Sequence, residues 1–329
     1  MTWYLPSKFL GMFVTLVLAS IISFAAIELP QGSYLSSYRA QLQASDVSAE
    51  QIEGELRYIE ERFALSQPVY TRYFTWISGL VRGDLGYSLA LRQPVAELLG
   101  DRLANSLSLA LATTIFTLIV GMGIGTIAAV FPYSIWDNTL TLLVFFFLAV
   151  PNFLLAIVFM YVSITFFGVA PQFGLQSPEY VFAPWDLARV WDFVAHLWLP
   201  VIIIGSANAA GMIRVVRARM LEVLPEPYIA TARSKGVAES AVVLLHAMRV
   251  AVNPVVSATA LALPTIIGGE IVPSIVLQLN TLGPLLLEAL LAQDMYLAAT
   301  ILLIMTAVLV LANFVADIII SLLDPRISK

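Results

Sequence analysis

Basic side chains form a short polar island between two long apolar runs of this sequence. The island, Tyr228–Pro254, carries Arg233, Lys235, His246 and Arg249. Only 12% of all residues are charged, whereas 60% are hydrophobic. Such an island must lie outside a bilayer, and the positive-inside rule places it in the cytoplasm, where it offers a short helical patch to a soluble partner. Three further arginines precede it, namely Arg214, Arg217 and Arg219.

The residues that could do catalytic chemistry form no recognisable constellation. The chain lacks the GxxxxGK[ST] motif of phosphate-binding loops, so it is not expected to hydrolyse ATP alone. It has no cysteine, and its two histidines, His196 and His246, are too far apart to suggest a metal site by spacing. His196 is instead expected to cap the fourth apolar run at the membrane interface. We predict no catalytic residue, no metal and no cofactor bound by this chain.

Six apolar runs set the fold class of the chain, whose mean hydropathy is +0.88. A helix of about 20 apolar residues crosses the hydrocarbon core, and lipid offers an open backbone no hydrogen-bond partners. The sequence therefore predicts an all-α transmembrane protein. The first run is too long for a signal peptide and is expected to be a retained span. The predicted spans are residues 9–29, 104–131, 138–167, 198–214, 251–278 and 296–323.

These spans divide the chain into three parts. Residues 1–29 form the N-terminal tail and first helix, residues 30–103 a polar segment, and residues 104–329 a five-helix core with a loop at 215–250. With the N-terminus inside, nine basic residues near span ends lie in the cytoplasm and only Arg189 on the other side. The positive-inside rule then predicts that both termini are cytoplasmic and that the polar segment is extracytoplasmic.

One stretch of the polar segment has the pattern of an amphipathic helix. This stretch is Ser45–Ala64, with an acidic face and Ser45 as the expected N-cap. The acidic face is either simply solvated or meets a soluble partner outside the membrane.

Glycine and proline interrupt several of the predicted spans. The sequence GMGIG at 121–125 would let two helices approach closely. Pro151-Asn152 lies in the middle of the third span, and Gly268-Gly269 lies in the fifth, where such residues can bend a helix. Tight packing and a role in motion both remain open for these positions.

Ordered motifs along most of the chain resemble the membrane-spanning subunits of binding-protein-dependent ABC importers, in the oligopeptide, dipeptide and nickel permease family. RGDLG at 82–86 and QPVAELL at 93–99 resemble the family's stretch before its second span, and Asp324-Pro325-Arg326 resembles its C-terminal pattern. The family's cytoplasmic loop signature is matched at Tyr228, Thr231, Ala232, Arg233, Lys235, Gly236, His246 and Arg249.

The resemblance implies a six-helix type I importer permease whose cytoplasmic loop contains a coupling helix that contacts an ATPase. Residues 228–235 can form that helix, with Ala230 and Ala232 allowing close approach and Gly236 supplying the turn that ends it. A loop that only connects two spans is the alternative reading. The implied partners are a second homologous permease, two cytoplasmic ATPases using ATP and Mg, an extracytoplasmic solute-binding protein and the lipid of a bacterial inner membrane. Nucleic acid is not an expected partner.

The sequence departs from the family pattern at residues 268–283. Pro273-Ser274 stands where the family has glutamate and threonine, and Glu270 lies one turn earlier as either a relocated carboxylate or an unrelated rim residue. Asp317, in the last span, is a carboxylate that needs a partner or a place inside the bundle. Candidate pathway or gating residues are Pro151, Asn152, Gly268, Gly269, Glu270, Asn313 and Asp317.

We interpret the chain as the permease half of an ATP-driven importer, with short peptides as the favoured substrate. Oligosaccharides, nickel or another small solute are alternatives, because the solute-binding protein largely sets specificity. An autonomous ion-coupled carrier would need ionisable residues in mid-span, and Asp317 is the one candidate. A membrane-embedded enzyme would need a buried nucleophile or a metal cluster.

Overall fold

The computed structural model describes residues 4–28, 34–44, 48–63, 65–168, 173–181, 183–264, 266 and 271–323, and helices dominate them. A small antiparallel ladder, β1 (Tyr87–Ser88) with β2 (Gln93–Pro94), is an addition to the predicted all-α fold. A 3₁₀ turn covers Pro178–Tyr180 and a π-helical turn covers Val242–Ala247. The α-helices are α1 (Tyr4–Glu28), α2 (Tyr34–Gln43), α3 (Ala49–Arg62), α4 (Val69–Val81), α5 (Val95–Val130), α6 (Ile135–Ala149), α7 (Asn152–Phe167), α8 (Leu187–Val223), α9 (Pro227–Ser234), α10 (Glu239–Ala241), α11 (Met248–Pro264), α12 (Ile271–Val276), α13 (Leu282–Leu291) and α14 (Met295–Leu323).

Within those described ranges, five helical stretches are long and apolar enough to cross a membrane, and there are six if α6 and α7 form one bent span. Two spans are longer than predicted, because α5 begins at Val95 rather than residue 104 and α8 begins at Leu187 rather than residue 198. In α8 the extra turns follow a polar N-cap, since the Asp186 side chain accepts a hydrogen bond from the Arg189 backbone N–H at 2.8 Å.

The third predicted span is not one helix. Its halves, α6 and α7, are bent by 101° at Val150 and Pro151, so the span predicted over residues 138–167 is broken at the Pro151-Asn152 position where a bend was expected. Proline disfavours helical geometry in the residue before it, and Val150 accordingly adopts φ −90° and ψ 122°. Pro151 then lies at the N-cap of α7.

The fifth predicted span also differs from a single helix over 251–278. It starts earlier, through α10 and the π-helical turn, and continues as α11 to Pro264; α12 begins only at Ile271. The predicted gating residues Gly268, Gly269 and Glu270 lie outside the described residues.

The amphipathic helix of the polar segment is present as α3, but Ser48 rather than Ser45 is its N-cap. The Ser48 side chain accepts from the Gln51 backbone N–H, while the Gln51 side chain accepts from the Ser48 backbone N–H, which is the reciprocal capping box. Ser45 lies outside the described residues. Helices α2 and α4 were not predicted.

The described chain divides into two compact units. One comprises Met1–Tyr4, Asn105–Asn280 and Leu311–Lys329, and the other comprises Leu5–Ala104 and Thr281–Val310. In the first unit, α5 and α8 meet at the predicted small-residue motif. A Cβ built on Gly121 would lie 2.4 Å from Met212 Cγ, and one on Gly125 would lie 2.9 Å from the Ile213 carbonyl oxygen. The prediction that GMGIG permits close helix approach is confirmed.

In the second unit, a buried carboxylate joins the β-hairpin to the start of α14. Asp294 is fully buried. Its Oδ2 accepts from Ser88 Oγ at 2.6 Å and from the Ala90 backbone N–H at 3.0 Å, while its Oδ1 accepts from the Leu297 backbone N–H at 3.2 Å. Because every one of these donors is backbone or hydroxyl, Asp294 serves as a helix cap and a hairpin anchor.

The same unit holds a cavity of about 190 Å³ lined mainly by aromatic side chains, among them Tyr34, Tyr38, Phe63 and Tyr87. Burial raises the pKa of Tyr34 and Tyr38 above that of a free tyrosine. Pockets that enclose drug-sized ligands measure about 300–1,000 Å³. This cavity is therefore too small to enclose a short peptide.

Candidate functional site

The short helix predicted over residues 228–235 is present as α9, and specific residues define both of its ends. It begins after Glu226 with Pro227 at its first position, where proline costs no helical hydrogen bond. It ends in a Schellman motif: the Gly236 N–H donates to the Arg233 carbonyl at 3.0 Å, and the Val237 N–H donates to the Ala232 carbonyl at 3.3 Å. Gly236 has φ 76°, so the predicted left-handed turn is present.

One apolar side chain fixes α9 to the rest of its unit. Ile229 is fully buried, and an eight-residue helix needs such packing because it is not stable alone. Ile229 belongs to a core that includes Met220 and Val223 of α8 together with Val242 and Ala247 of the π-helical turn. The half-buried Ala232 packs against the same core. The position of α9 is thereby tied to the end of α8.

The other face of α9 is open and carries small and basic side chains. Ala230 and Thr231 are exposed, as are Arg233 and Lys235. Arg233 makes two contacts with Glu239, Nη2 to Oε1 at 2.6 Å and Nε to Oε2 at 3.0 Å, and the hydrogen bond to this carboxylate raises the pKa of Arg233. The face therefore offers small side chains beside Lys235, with Arg233 oriented at its rim by Glu239.

The remaining residues of the predicted loop signature lie further along the chain. Tyr228 is 44% exposed at the start of α9, and partial burial raises its pKa. His246 lies on the π-helical turn and Arg249 in the first turn of α11, both with exposed side chains. All eight predicted positions are thus described. Seven of them are exposed, and Ala232 is half-buried.

An ion pair that was not predicted includes Arg217, which lies on α8 shortly before α9 in the chain. Asp137, in the first turn of α6, accepts two hydrogen bonds from Arg217 of α8: Nε to Oδ1 and Nη2 to Oδ2, both at 2.8 Å. Asp137 is only 2% exposed. The signal available in the sequence was Ser134-Ile135-Trp136-Asp137, a helix-start pattern, although it does not reveal the arginine partner.

His196 is not the interfacial cap that the sequence suggested. It lies inside α8, is 6% exposed, and its Nδ1 lies 2.7 Å from the Asp192 carbonyl oxygen. The reason is that α8 begins at Leu187, so His196 is past its second turn.

The predicted pathway residues Asn313 and Asp317 lie one turn apart on α14, Asn313 exposed and Asp317 half-buried.

Replacing Gly236 by valine should loosen the end of α9, while replacing it by asparagine should not. A Cβ at this position meets nothing within 4 Å, so the cost is the left-handed backbone alone, roughly 1–2 kcal/mol for an ordinary residue and less for asparagine. Hydrogen exchange of residues 227–237 measures the difference. Equal protection in both variants would contradict this account.

Comparison with known proteins gives this geometry its context. The family model described as "Binding-protein-dependent transport system inner membrane component" matches residues 121–329, a range that contains α9 and the loop around it. The chain belongs to this family. The predicted resemblance is therefore confirmed.

Relatives with similarity along nearly the whole chain support the assignment. The oligopeptide transport system permease protein AppB of Bacillus subtilis (strain 168) is 34% identical over 268 residues, which are 81% of this chain and 83% of AppB. The glutathione transport system permease protein GsiC of Escherichia coli (strain K12) is 30% identical over 325 residues, 98% of each chain. A chain of the inward-facing MetNI methionine ABC transporter has a similar fold, with TM-score 0.53, 18% identity and coverage of 69% of this chain and 96% of that one.

The protein is therefore a permease subunit of a binding-protein-dependent ABC importer and a multi-pass inner-membrane protein. It is a transport subunit rather than an enzyme, and ATP hydrolysis belongs to separate subunits. A permease of this family works with ATPase and substrate-binding partners.

Proposed function

We propose that this permease forms half of the translocation pathway for short peptides and that α9 is its coupling helix. The proposed assembly contains a second homologous permease, two cytoplasmic ATPases that consume ATP with Mg, and an extracytoplasmic solute-binding protein. Both termini and α9 lie in the cytoplasm, and residues 30–103 lie outside it. The peptide substrate is supported by the names of the two relatives, which are an oligopeptide and a glutathione permease.

The observation that carries the coupling proposal is the two-sided character of α9. Its inner face is held by the fully buried Ile229, and its outer face exposes Ala230, Thr231 and Lys235. A groove on a soluble partner can receive small side chains on a rigid helix at low entropic cost. Movement of that partner would then displace α9 and, through their shared core, the end of α8.

The proposed pathway is built from residues of the spans. We propose Pro151, Asn152, Gly268, Gly269 and Glu270 as pathway or gating residues. Asn313 and Asp317 on α14 complete the set. The bend of 101° between α6 and α7 supports a role for Pro151, because a broken span can move its halves separately. Oligosaccharide or nickel transport would use the same arrangement with another solute-binding protein.

Replacing Ala230 by glutamate should release the ATPases from the purified complex. Ala230 is exposed, so a glutamate is accommodated within the permease, but it adds bulk and a negative charge to the proposed contact. We expect at least a tenfold loss of bound ATPase, because a misplaced interface charge typically costs more than the 1.4 kcal/mol per tenfold change in affinity. The measurement is co-purification in detergent, with the bound chains identified by mass spectrometry and assayed for ATP hydrolysis.

Gln67→Glu is the matched control for this variant. It adds the same charge at an exposed position in the segment between α3 and α4, far along the chain from α9. Loss of ATPase in both variants, or in neither, would argue against α9 as the contact. A wild-type chain that purifies with no P-loop ATPase would favour the ion-coupled carrier.

A further inference from the structure

The Asp137–Arg217 pair is the most enclosed of the arginine ion pairs described in the first unit. The Asp137 side chain is 3% exposed and the Arg217 side chain 30%, whereas the next arginine pair on α8, Arg219–Glu222, is 45% and 62% exposed. Each carboxylate oxygen of Asp137 accepts a hydrogen bond from a different nitrogen of Arg217. Two parallel hydrogen bonds fix orientation as well as distance, so this contact resists sliding of α6 along α8.

Asp137 also holds the turn that joins α5 to α6. Its Oδ2 accepts from the Tyr133 backbone N–H at 2.9 Å, and its own backbone N–H donates to Ser134 Oγ at 3.2 Å. Tyr133 has φ 62°, a left-handed conformation that a tyrosine keeps only where its surroundings impose it. One carboxylate thus fixes the turn, the start of α6 and Arg217 together.

Arg217 lies on the part of α8 that leads directly to α9. Six residues separate it from the end of α8 at Val223, about 9 Å along a helix. Met220 and Val223, in that interval, share a core with Ile229 of α9. A displacement of α9 would therefore reach Arg217 through continuous helix and close packing.

Helix α6 contacts α8 at a second place as well. Val144 packs with Ala210 and Ile213 in a small buried cluster two turns further along α6. Apolar contacts of this kind give no fixed register by themselves, because they lack direction. The bidentate ion pair is directional, so it can fix the register of α6 against α8 where this packing cannot.

We propose that Asp137 is a positioning residue that makes α6 move together with α8 when α9 is displaced. This inference rests on the proposed function of α9. Without the pair, the end of α8 would still follow α9, but α6 and the bend that follows it would lag. ATP would then be hydrolysed with less transport. The coupling between α9 and the α6–α7 bend is thus assigned to one carboxylate.

The test uses Asp137→Asn in the assembled importer, reconstituted in proteoliposomes with its solute-binding protein. Asparagine keeps the side-chain size but removes the charge that binds both guanidinium nitrogens. We expect uptake per ATP hydrolysed to fall about tenfold, within the usual range of coupling between sites, while basal ATP hydrolysis persists.

Glu222→Gln is the matched control, because it neutralises the exposed partner of Arg219 one turn away. It should leave uptake per ATP unchanged. A merely structural role for Asp137 would lower the amount of assembled complex but not uptake per ATP in the complex that remains, and that result would overturn the proposal. Unchanged uptake per ATP in Asp137→Asn would overturn it equally.

A distance measurement provides a readout that does not depend on transport activity. The chain has no cysteine, so spin labels can be placed at Leu142→Cys on α6 and Arg214→Cys on α8, both exposed positions. We expect their distance to stay constant with and without ATP in the wild-type background and to change or broaden after Asp137→Asn. Identical distance distributions in both backgrounds would contradict the proposal. Absence of ATPase from the wild-type complex would instead overturn the proposed function of α9, and the inference with it.

Discussion

Replacing Gly125 by valine is expected to destabilise the α5–α8 contact enough to reduce the yield of folded protein. The first added carbon would lie 2.8 Å from Val216 Cβ and 2.9 Å from the Ile213 carbonyl oxygen, and a backbone atom cannot rotate away. Overpacking of a close contact costs about 1–3 kcal/mol, and the larger value applies because valine adds two further methyl groups. The thermal midpoint of the purified permease in detergent measures the effect.

Gly123→Val provides the control within the same motif. Gly123 is exposed, and a Cβ there meets nothing within 4 Å. The two variants share the loss of a glycine and the gain of a β-branched residue in α5, so they differ only in what faces the new side chain. A similar decrease of the midpoint in both would attribute the effect to helix propensity rather than to the close approach of α8.

The second large effect is expected from Ile229→Ala. Deleting most of a fully buried isoleucine costs about 2–5 kcal/mol, and this side chain is the fully buried anchor of α9. Since eight residues form no stable helix alone, α9 should detach locally while the spans remain folded. Hydrogen exchange should increase across residues 227–237, and ATPase co-purification should fall at least tenfold.

Ile119→Ala removes the same atoms from a side chain of α5 that is 68% exposed. It should affect neither hydrogen exchange at α9 nor ATPase binding. If Ile229→Ala binds ATPase as well as the wild type does, the position of α9 does not depend on its buried face, and the coupling account fails.

Features written in local sequence were predicted correctly. Gly121 and Gly125 are small on one face of α5, and that pattern sufficed to predict close approach, although not the identity of the partner helix. Gly236 marks the end of α9 by backbone chemistry alone, and the helix predicted over residues 228–235 is present as Pro227–Ser234. In each case, the physical cause lies within a few residues of the effect.

Features that depend on tertiary contacts, or on how sharply a proline bends a helix, were not predicted. A proline in an apolar run can kink a helix or end it, and the sequence does not say that Pro151 produces a bend of 101°. Hydropathy places the start of a span where apolar residues begin, whereas α8 begins at Leu187, directly after the polar cap Asp186. Asp137 pairs with a residue 80 positions away, which no local pattern encodes.

The capping of α3 shows how small the deciding difference can be. Ser45 and Ser48 are both serines before an amphipathic run, and only Ser48 has a glutamine three residues later that can return the hydrogen bond. The capping-box rule distinguishes the two residues when it is applied to each candidate in turn.

The exposed face of α9 is the surface that we propose contacts an ATPase. The chain has no cysteine, so Ala230→Cys creates a unique attachment point for a photoactivatable maleimide such as benzophenone maleimide. Tyr161→Cys, on an exposed part of α7, is the control. We predict a covalent adduct with a P-loop ATPase, identified by mass spectrometry, from Ala230→Cys and not from Tyr161→Cys. No ATPase adduct at position 230, or equal adducts at both positions, would contradict the account.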